Sequence, residues 1–222
     1  MFDRMLTLML DQMIQVIAAH ASYAREQLGK ERFDEKVLRA MGRVPRHEFV
    51  PPELAAYAYA DQPIPIGCDK TVSQPFIVAL MTDLLDIQPS DTVLEIGTGL
   101  GYHAAILAEL AQQVYSVEIM DELSDQAKRR LGPLGYGNVA LRTGNGEYGW
   151  PEHAPYEKIV VCAASELVPP ALIGQLKPGG KMVIPCGLAD AQKLTLVEKS
   201  PEGRIKTREV LPVRFALLET AA

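Results

Sequence analysis

The sequence predicts an α/β fold: a mostly parallel central sheet with helices on both faces and a helical extension at the N-terminus. Three observations predict it. From Thr92 onward, short β-branched apolar runs alternate with helical patterns. A glycine-rich turn joins the first such run to the helix behind it. The 222 residues, 48% of them hydrophobic, suit one domain with an ample core.

Each element follows in order. Residues 1–45 read as helical, because Met5, Met9, Met13, Val16 and Ile17 recur at helix spacing. This apolar stripe either packs on the main domain or forms a homodimer contact. A second short helix covers Asp34 to Met41, with Val37, Leu38 and Met41 on one side. Residues 46–75 hold a run of prolines, bounded by Pro45 and Pro75, and read as ordered loop without regular structure. A loop of that length in a compact domain is expected to be functional, here as a substrate loop. A helix from Pro75 to Leu85 follows, with its proline in the first turn.

The alternating part is expected to run as follows. Thr92–Ile96 is a strand, Gly97–Gly101 a turn, and Tyr102–Leu110 a helix. Gln113–Glu118 is a strand and Met120–Leu131 a helix. Val139–Arg142 and Tyr156–Cys162 are further strands, and Pro169–Leu176 is helical. Gly179-Gly180 turns into a fifth strand, and Leu194–Glu198 pairs antiparallel with Ile205–Leu211 around Pro201-Glu202-Gly203. Residues 76–222 thereby form the α/β core and C-terminal strands of a single domain, 1–222.

Composition narrows the function. The formal net charge is −6, and the longest basic run is Lys128-Arg129-Arg130, which reads as a solvated helix face. Nucleic-acid binding needs clustered Lys and Arg, so no nucleic-acid partner is expected. No stretch reaches the ~20 apolar residues of a membrane span, and the N-terminus lacks the basic start of a signal peptide. Cys68, Cys162 and Cys186 have no metal-ligand spacing, so no metal is expected, and free thiols point to the cytoplasm.

The central signal is Glu95-Ile96-Gly97-Thr98-Gly99-Leu100-Gly101. Glycines permit a tight strand-to-helix turn and let a ligand approach the backbone. Such a loop alone serves a dinucleotide, a nucleotide or only a turn. Three details separate these. The spacing is G-x-G-x-G rather than the G-x-G-x-x-G of a pyrophosphate cradle. Glu95 lies in the strand just before the loop. Glu118 ends the next strand, where a ribose-binding carboxylate is expected. Gly97, Thr98, Gly99, Gly101 and Glu118 therefore suggest an adenosyl ligand with a cationic, phosphate-free tail: S-adenosyl-L-methionine. Glu95 is expected to orient the amino-acid end of that cofactor. Asn145 and Gly146, in the Gly144-Asn145-Gly146 turn after the third strand, are expected beside the adenine; the plain alternative is an ordinary Asn-Gly turn.

Further motifs carry a family resemblance. Val44–Pro51 reads VPRHEFVP, Ala58–Asp61 reads AYAD, Pro63–Gly67 reads PIPIG and Thr71–Pro75 reads TVSQP. Tyr148-Gly149-Trp150, Gly179-Gly180 and Val213-Arg214-Phe215 follow in order. In this arrangement, from about Phe33 to Leu218, the chain resembles the protein-L-isoaspartate O-methyltransferases. The resemblance implies a Rossmann-like class I methyltransferase that esterifies the free carboxylate of L-isoaspartyl residues in damaged proteins or peptides. It places Ser73 at the active site, with Thr71 beside it, and Tyr59, Asp61, Val213 and Arg214 around the substrate. The plain alternative for Ser73 is a helix N-cap. The chemistry is self-consistent: a carboxylate is already ionised at neutral pH and needs placement rather than a general base.

Some residues depart from the family pattern. Leu100 and His103 stand where serine and glutamine are usual, Asn145 where aspartate is usual, and Asp69-Lys70 precede Thr71. These departures leave two alternatives open: methylation of a different carboxylate or small nucleophile, attracted by Lys70, or cofactor binding without catalysis. His103 is expected to be a packed or surface histidine, Cys68 has no sign of reactivity, and Trp150 is expected to pack at a loop edge.

Overall fold

The computed structural model describes residues 2–23 and 25–220. Its elements in chain order are α1 (Phe2–Tyr23), α2 (Arg25–Leu28), α3 (Glu35–Arg43), β1 (Ile64–Gly67), β2 (Lys70–Val72), α4 (Pro75–Leu85), β3 (Thr92–Ile96), α5 (Tyr102–Ala108), β4 (Gln113–Glu118), α6 (Asp121–Leu131), β5 (Val139–Thr143), β6 (Tyr156–Val161), α7 (Pro170–Gln175), β7 (Leu176–Cys186), β8 (Lys193–Lys199) and β9 (Ile205–Pro212). Strands β3 to β9 form one sheet in the order β5-β4-β3-β6-β7-β8-β9. β3 to β7 are mutually parallel, and β8 and β9 add antiparallel at the far edge.

The parallel strands are apolar because helices cover both faces. Val93, Leu94, Val114, Val117, Ile159, Val160, Met182 and Val183 are all buried. One layer takes Val93, Val114, Val160 and Val183 together with α4 and α5; the other takes Leu94, Val117, Ile159 and Met182 with α7. Alternate residues of one strand thus feed opposite layers, as the pleat requires.

The N-terminal helix packs on α3 and α4. Met13, Ile17 and Ala21 are buried there, so the C-terminal half of the stripe packs on the domain. Fully burying a side chain such as Met13 or Ile17 contributes about 1.5–3 kcal/mol. Met5 and Leu8, about two turns and one turn before Met13, are 49% and 63% exposed. Asp34 caps α3 by accepting the Lys36 N–H at 2.9 Å.

Two expectations need correction. The proline-rich segment is not structureless. It holds two 3₁₀ turns, Arg46–Phe49 and Pro52–Tyr57, and the antiparallel hairpin β1–β2. Cys68 and Asp69 form its two-residue turn with φ of 52° and 54°. Positive φ at both central positions gives the backbone twist that short hairpins favour. The second correction concerns β7, which begins at Leu176 rather than after Gly179-Gly180. Its register slips between the Tyr156–Leu176 and Lys158–Lys181 pairs, so the glycines lie in a bulge inside the strand. Gly180 fits that bulge because a Cβ there would stand 2.7 Å from the Lys177 carbonyl oxygen.

Candidate functional site

From β3 the chain builds outward to β4 and β5, then crosses back to lay β6 on the other side of β3. At such a reversal the loops diverge and leave a crevice at the carboxyl ends of the strands. A cavity of about 530 Å³ lies there, lined by the glycine loop, Glu118, Ile119, Cys162, the β2–α4 segment and residues 212–219. That volume is in the range of small-molecule sites.

The glycine loop forms its floor. Gly97, Gly99 and Gly101 have φ of 91°, 56° and 95°, a conformation that side-chain-bearing residues rarely adopt. A Cβ on Gly97 would also press to 3.3 Å from the Cβ of Cys162. Gly97, Thr98, Gly99 and Leu100 line the cavity. Gly101 does not; it is the left-handed residue that starts α5 and abuts Leu131.

Glu118 ends β4 and is 5% exposed, on the cavity wall. Its Oε2 accepts the Gly99 N–H at 2.8 Å and its Oε1 the Met120 N–H at 3.1 Å. The carboxylate is thus fixed in orientation, with acceptor capacity left on each oxygen. Glu95 is placed differently. It is fully buried and absent from the cavity lining. Its Oε2 accepts the Ser116 hydroxyl at 2.5 Å, and Ser116 Oγ lies 2.6 Å from Thr98 Oγ1, so Glu95 braces the loop from behind. Burial pushes its carboxyl up to about 8, the Ser116 bond opposes this, and nearby Glu118 adds to it. Asn145 is also absent from the lining; its Oδ1 accepts the Glu147 N–H at 2.9 Å and caps a 3₁₀ turn. Gly146 is on the wall, where a Cβ would collide with Ile96 at 2.3 Å.

The opposite wall carries Lys70, Thr71, Val72, Ser73 and Gln74. The Ser73 hydroxyl has no hydrogen-bond partner among the described residues, and the N-cap of α4 is Gln74 rather than Ser73. The capping role is therefore not what positions Ser73. Its carbonyl accepts Arg46 Nη2 at 2.8 Å, while Arg46 Nε bonds the Ala58 carbonyl at 2.8 Å. The guanidinium lies 4.5 Å from the ring centroid of Tyr102, next to the glycine loop. Arg46, fully buried, thus ties the Ser73 segment to α5. Within VPRHEFVP nothing marks it as different from its neighbours.

Tyr59 and Asp61 lie off the cavity wall, contrary to the expectation that they hold substrate directly. The Tyr59 hydroxyl bonds His47 Nδ1 at 2.7 Å, and burial pushes it up to about 12. Asp61 Oδ1 accepts the Phe76 N–H at 2.8 Å, and Oδ2 accepts Gln74 Nε2 at 2.9 Å and meets His20 Nδ1 at 2.7 Å. Asp61 is an anchor for the start of α4, attractive there because free N–H groups end the helix.

Val213, Arg214 and Phe215 close the cavity from the C-terminal side. Gln192 holds them: its Oε1 accepts the Phe215 N–H at 2.7 Å, its Nε2 donates to the Phe215 carbonyl at 3.1 Å, and its carbonyl accepts the Val213 N–H at 3.1 Å. A bridge between Ala164 and Leu217 then docks the segment beside the end of β6. Lys70, on the cavity wall, pairs with Glu219 at 2.5 Å. His103 and Cys162 line the floor; burial lowers the imidazole to about 3 and pushes the thiol well up. His103 is thus a packed neutral imidazole. Trp150 packs among Tyr115 and His153 with Arg142 above it.

The comparisons with known proteins bear on this site. The protein-L-isoaspartate O-methyltransferase 1 of Polaromonas sp. strain JS666 is 61% identical over 209 residues, 94% of this chain and 89% of its own. A solved protein-L-isoaspartate O-methyltransferase is 27% identical with a TM-score of 0.79, over 94% of this chain and 65% of that one. A second, a putative enzyme of the same name from Plasmodium falciparum in complex with S-adenosyl-L-homocysteine, has a TM-score of 0.75 at 22% identity, over 85% of this chain and 92% of its own. The family model described as protein-L-isoaspartate(D-aspartate) O-methyltransferase matches residues 22–221, nine-tenths of the sequence, and with that match the chain belongs to this family.

Proposed function

We propose that the cavity seats S-adenosyl-L-methionine with its ribose on Glu118, and that an L-isoaspartyl carboxylate enters between Ser73 and residues 213–215. Family membership makes the chain an S-adenosylmethionine-dependent O-methyltransferase of protein repair. The observation that carries the placement is the pair of facing walls. Glu118 is fixed on one, and Ser73 with an unengaged hydroxyl stands on the other. The residues fit the cofactor: Gly97 and Gly146, without side chains, let the two loops pack closely on Cys162 and Ile96 and so set the cavity wall, and Glu118 has acceptor capacity for two ribose hydroxyls. When bound, the cofactor supplies an electrophilic methyl group on a sulfonium.

The chain's own residues do the rest. The isoaspartyl carboxylate is ionised at neutral pH, so no residue must remove a proton. Ser73 orients one of its oxygens by donating a hydrogen bond, with Thr71 on the same segment. Ile77, Val78, Phe215 and Leu218 exclude water from the reacting centre. Arg214 and the backbone of residues 213–215 hold the substrate chain. Tyr59 and Asp61 act at one remove, through His47 and through the start of α4. Gly101 and Glu95 shape the loop that seats the cofactor, and Asn145 shapes the turn that presents Gly146. Pairing with Glu219 neutralises Lys70, which favours the isoaspartyl reading over capture of a different carboxylate by a free cation.

Three free thiols support a cytoplasmic setting. No helix among the described residues is long and apolar enough to cross a membrane. The inward use of Met13, Ile17 and Ala21 supports a monomer.

Transfer of a labelled methyl group to an isoaspartyl peptide, with the matching aspartyl peptide as control, tests the reading. Labelling of the isoaspartyl peptide alone is expected. Equal labelling, or none, refutes it.

A further inference from the structure

Behind the glycine loop, three elements bring together a carboxylate, an imidazole and a thiol, none of which touches the reacting atoms in the methyl transfer described above. Glu95 comes from β3, His103 from α5 and Cys162 from the end of β6. One ligand-capable atom from each lies within 4.8 Å of the others. We propose that Cys162, His103 and Glu95 form a three-ligand site for a thiophilic divalent cation of the Zn²⁺ class at the floor of the cavity.

Four observations support it. The Cys162 Sγ to His103 Nδ1 separation is 3.5 Å. A tetrahedral ion with bonds of about 2.3 Å to sulfur and 2.0–2.1 Å to nitrogen needs an edge of roughly that length. The hydrogen bonds also fix the imidazole tautomer. Thr82 donates its hydroxyl proton to the Val78 carbonyl at 2.8 Å. Its oxygen must therefore accept from His103 Nε2–H, 2.9 Å away. Nδ1 is left with a lone pair directed toward Cys162. This is the outer partner that ligating histidines use to hold their ring.

Glu95 supplies the third observation. Its Oε2 is held by Ser116, and its Oε1 is buried without a hydrogen-bond partner. An orphaned carboxylate oxygen in the interior is costly and wants a cation or a donor. The fourth is charge. One thiolate, one carboxylate and a divalent cation sum to zero, the balance a buried site requires. Binding releases the Cys162 thiol proton, and any proton on Glu95, to solvent; no electron changes hands. Because His103 and Cys162 both line the cavity, the fourth coordination position faces it.

The test uses the full chain without cofactor. Titration with Zn²⁺ by calorimetry is expected to show one tightly bound equivalent with proton release. Co²⁺ is expected to give tetrahedral visible bands and a thiolate-to-cobalt charge-transfer band. Cys162→Ser should abolish that band and weaken Zn²⁺ by roughly tenfold or more, and His103→Gln should weaken it by a similar factor. Cys68→Ser, at an exposed cysteine away from the cavity, should change neither. A wild-type chain that takes up no stoichiometric Zn²⁺, or shows no thiolate band with Co²⁺, overturns the proposal whatever the variants do. So does undiminished binding in a folded Cys162→Ser or His103→Gln protein.

Discussion

Each oxygen of the Glu118 carboxylate already accepts one backbone N–H, from Gly99 at 2.8 Å and from Met120 at 3.1 Å. Those bonds hold the side chain still, so a ligand meets it without first ordering it. Hydrogen bonds to a charged group are worth about 1.5–3 kcal/mol each, and Glu118→Ala should raise the dissociation constant for S-adenosylhomocysteine by roughly 10- to 100-fold. Calorimetry on the folded variant checks this; an unchanged constant removes the ribose assignment. Ser73 differs because its position comes from its backbone. Arg46 grips its carbonyl and leaves the hydroxyl unengaged, so the side chain can be cut back without releasing the segment. Ser73→Ala should therefore lower kcat by about tenfold, some 1.4 kcal/mol of barrier, while cofactor affinity moves less than about twofold. A parallel loss of cofactor binding would show that the hydroxyl serves the fold.

At the level of elements, what the sequence disclosed depended on whether a residue acts through its own neighbours. The loop Gly97–Gly101 and the carboxylate Glu118 were legible because strand–turn–helix order alone places them together. Glu95 fits the same motif, yet the pleat turns it away from the cavity, to Ser116. The hairpin β1–β2 stayed hidden because its turn uses Cys68 and Asp69 at positive φ, where glycine or asparagine would have signalled it. Asp61 shows the same limit, since its partners His20 and Phe76 lie far from it in sequence or across a proline. Its carboxylate joins α1, the Gln74 side chain and the first turn of α4, directly behind Ser73. Asp61→Ala leaves the part-buried Phe76 N–H without its side-chain acceptor, at a cost of about 1–3 kcal/mol. In a chain of this size the melting temperature should fall by roughly 2–10 °C, and the KM for isoaspartyl peptide should rise with it. Asp61→Asn keeps one acceptor for Phe76 and should recover most of the stability. A melting temperature equal to wild type in Asp61→Ala would show that the cap is dispensable.

Across the whole molecule, the cavity is walled by segments remote in sequence, and one ion pair spans them. Lys70 on β2 and Glu219 near the C-terminus both line the cavity, and their side chains meet at 2.5 Å across a separation of 149 residues. Among the described residues, the other hydrogen bonds of the C-terminal wall lie on its inner side: Gln192 with Val213 and Phe215, and Ala164 with Ala216 and Leu218. Lys70–Glu219 is thus, among the described residues, the polar tie between this wall and the hairpin. Glu219 is half exposed, so the pair contributes at most about 1 kcal/mol and is open to screening by salt. A tie of that strength holds the walls together for most of the time yet lets them part for ligand exchange. Lys70→Ala and Glu219→Ala should each speed S-adenosylhomocysteine dissociation by up to about fivefold, the factor that ~1 kcal/mol allows. The double variant should be no faster than either single one, because both remove the same contact. Raising NaCl from 0.05 to 0.5 M, about a threefold shortening of the screening length, should bring the wild-type rate toward that of the variants and leave theirs nearly unchanged. Stopped-flow measurement of the dissociation rate reads all three. Additive effects of the two substitutions, or equal salt dependence in wild type and variants, would mean that the two residues act separately and that the inner contacts alone set the opening of the cavity.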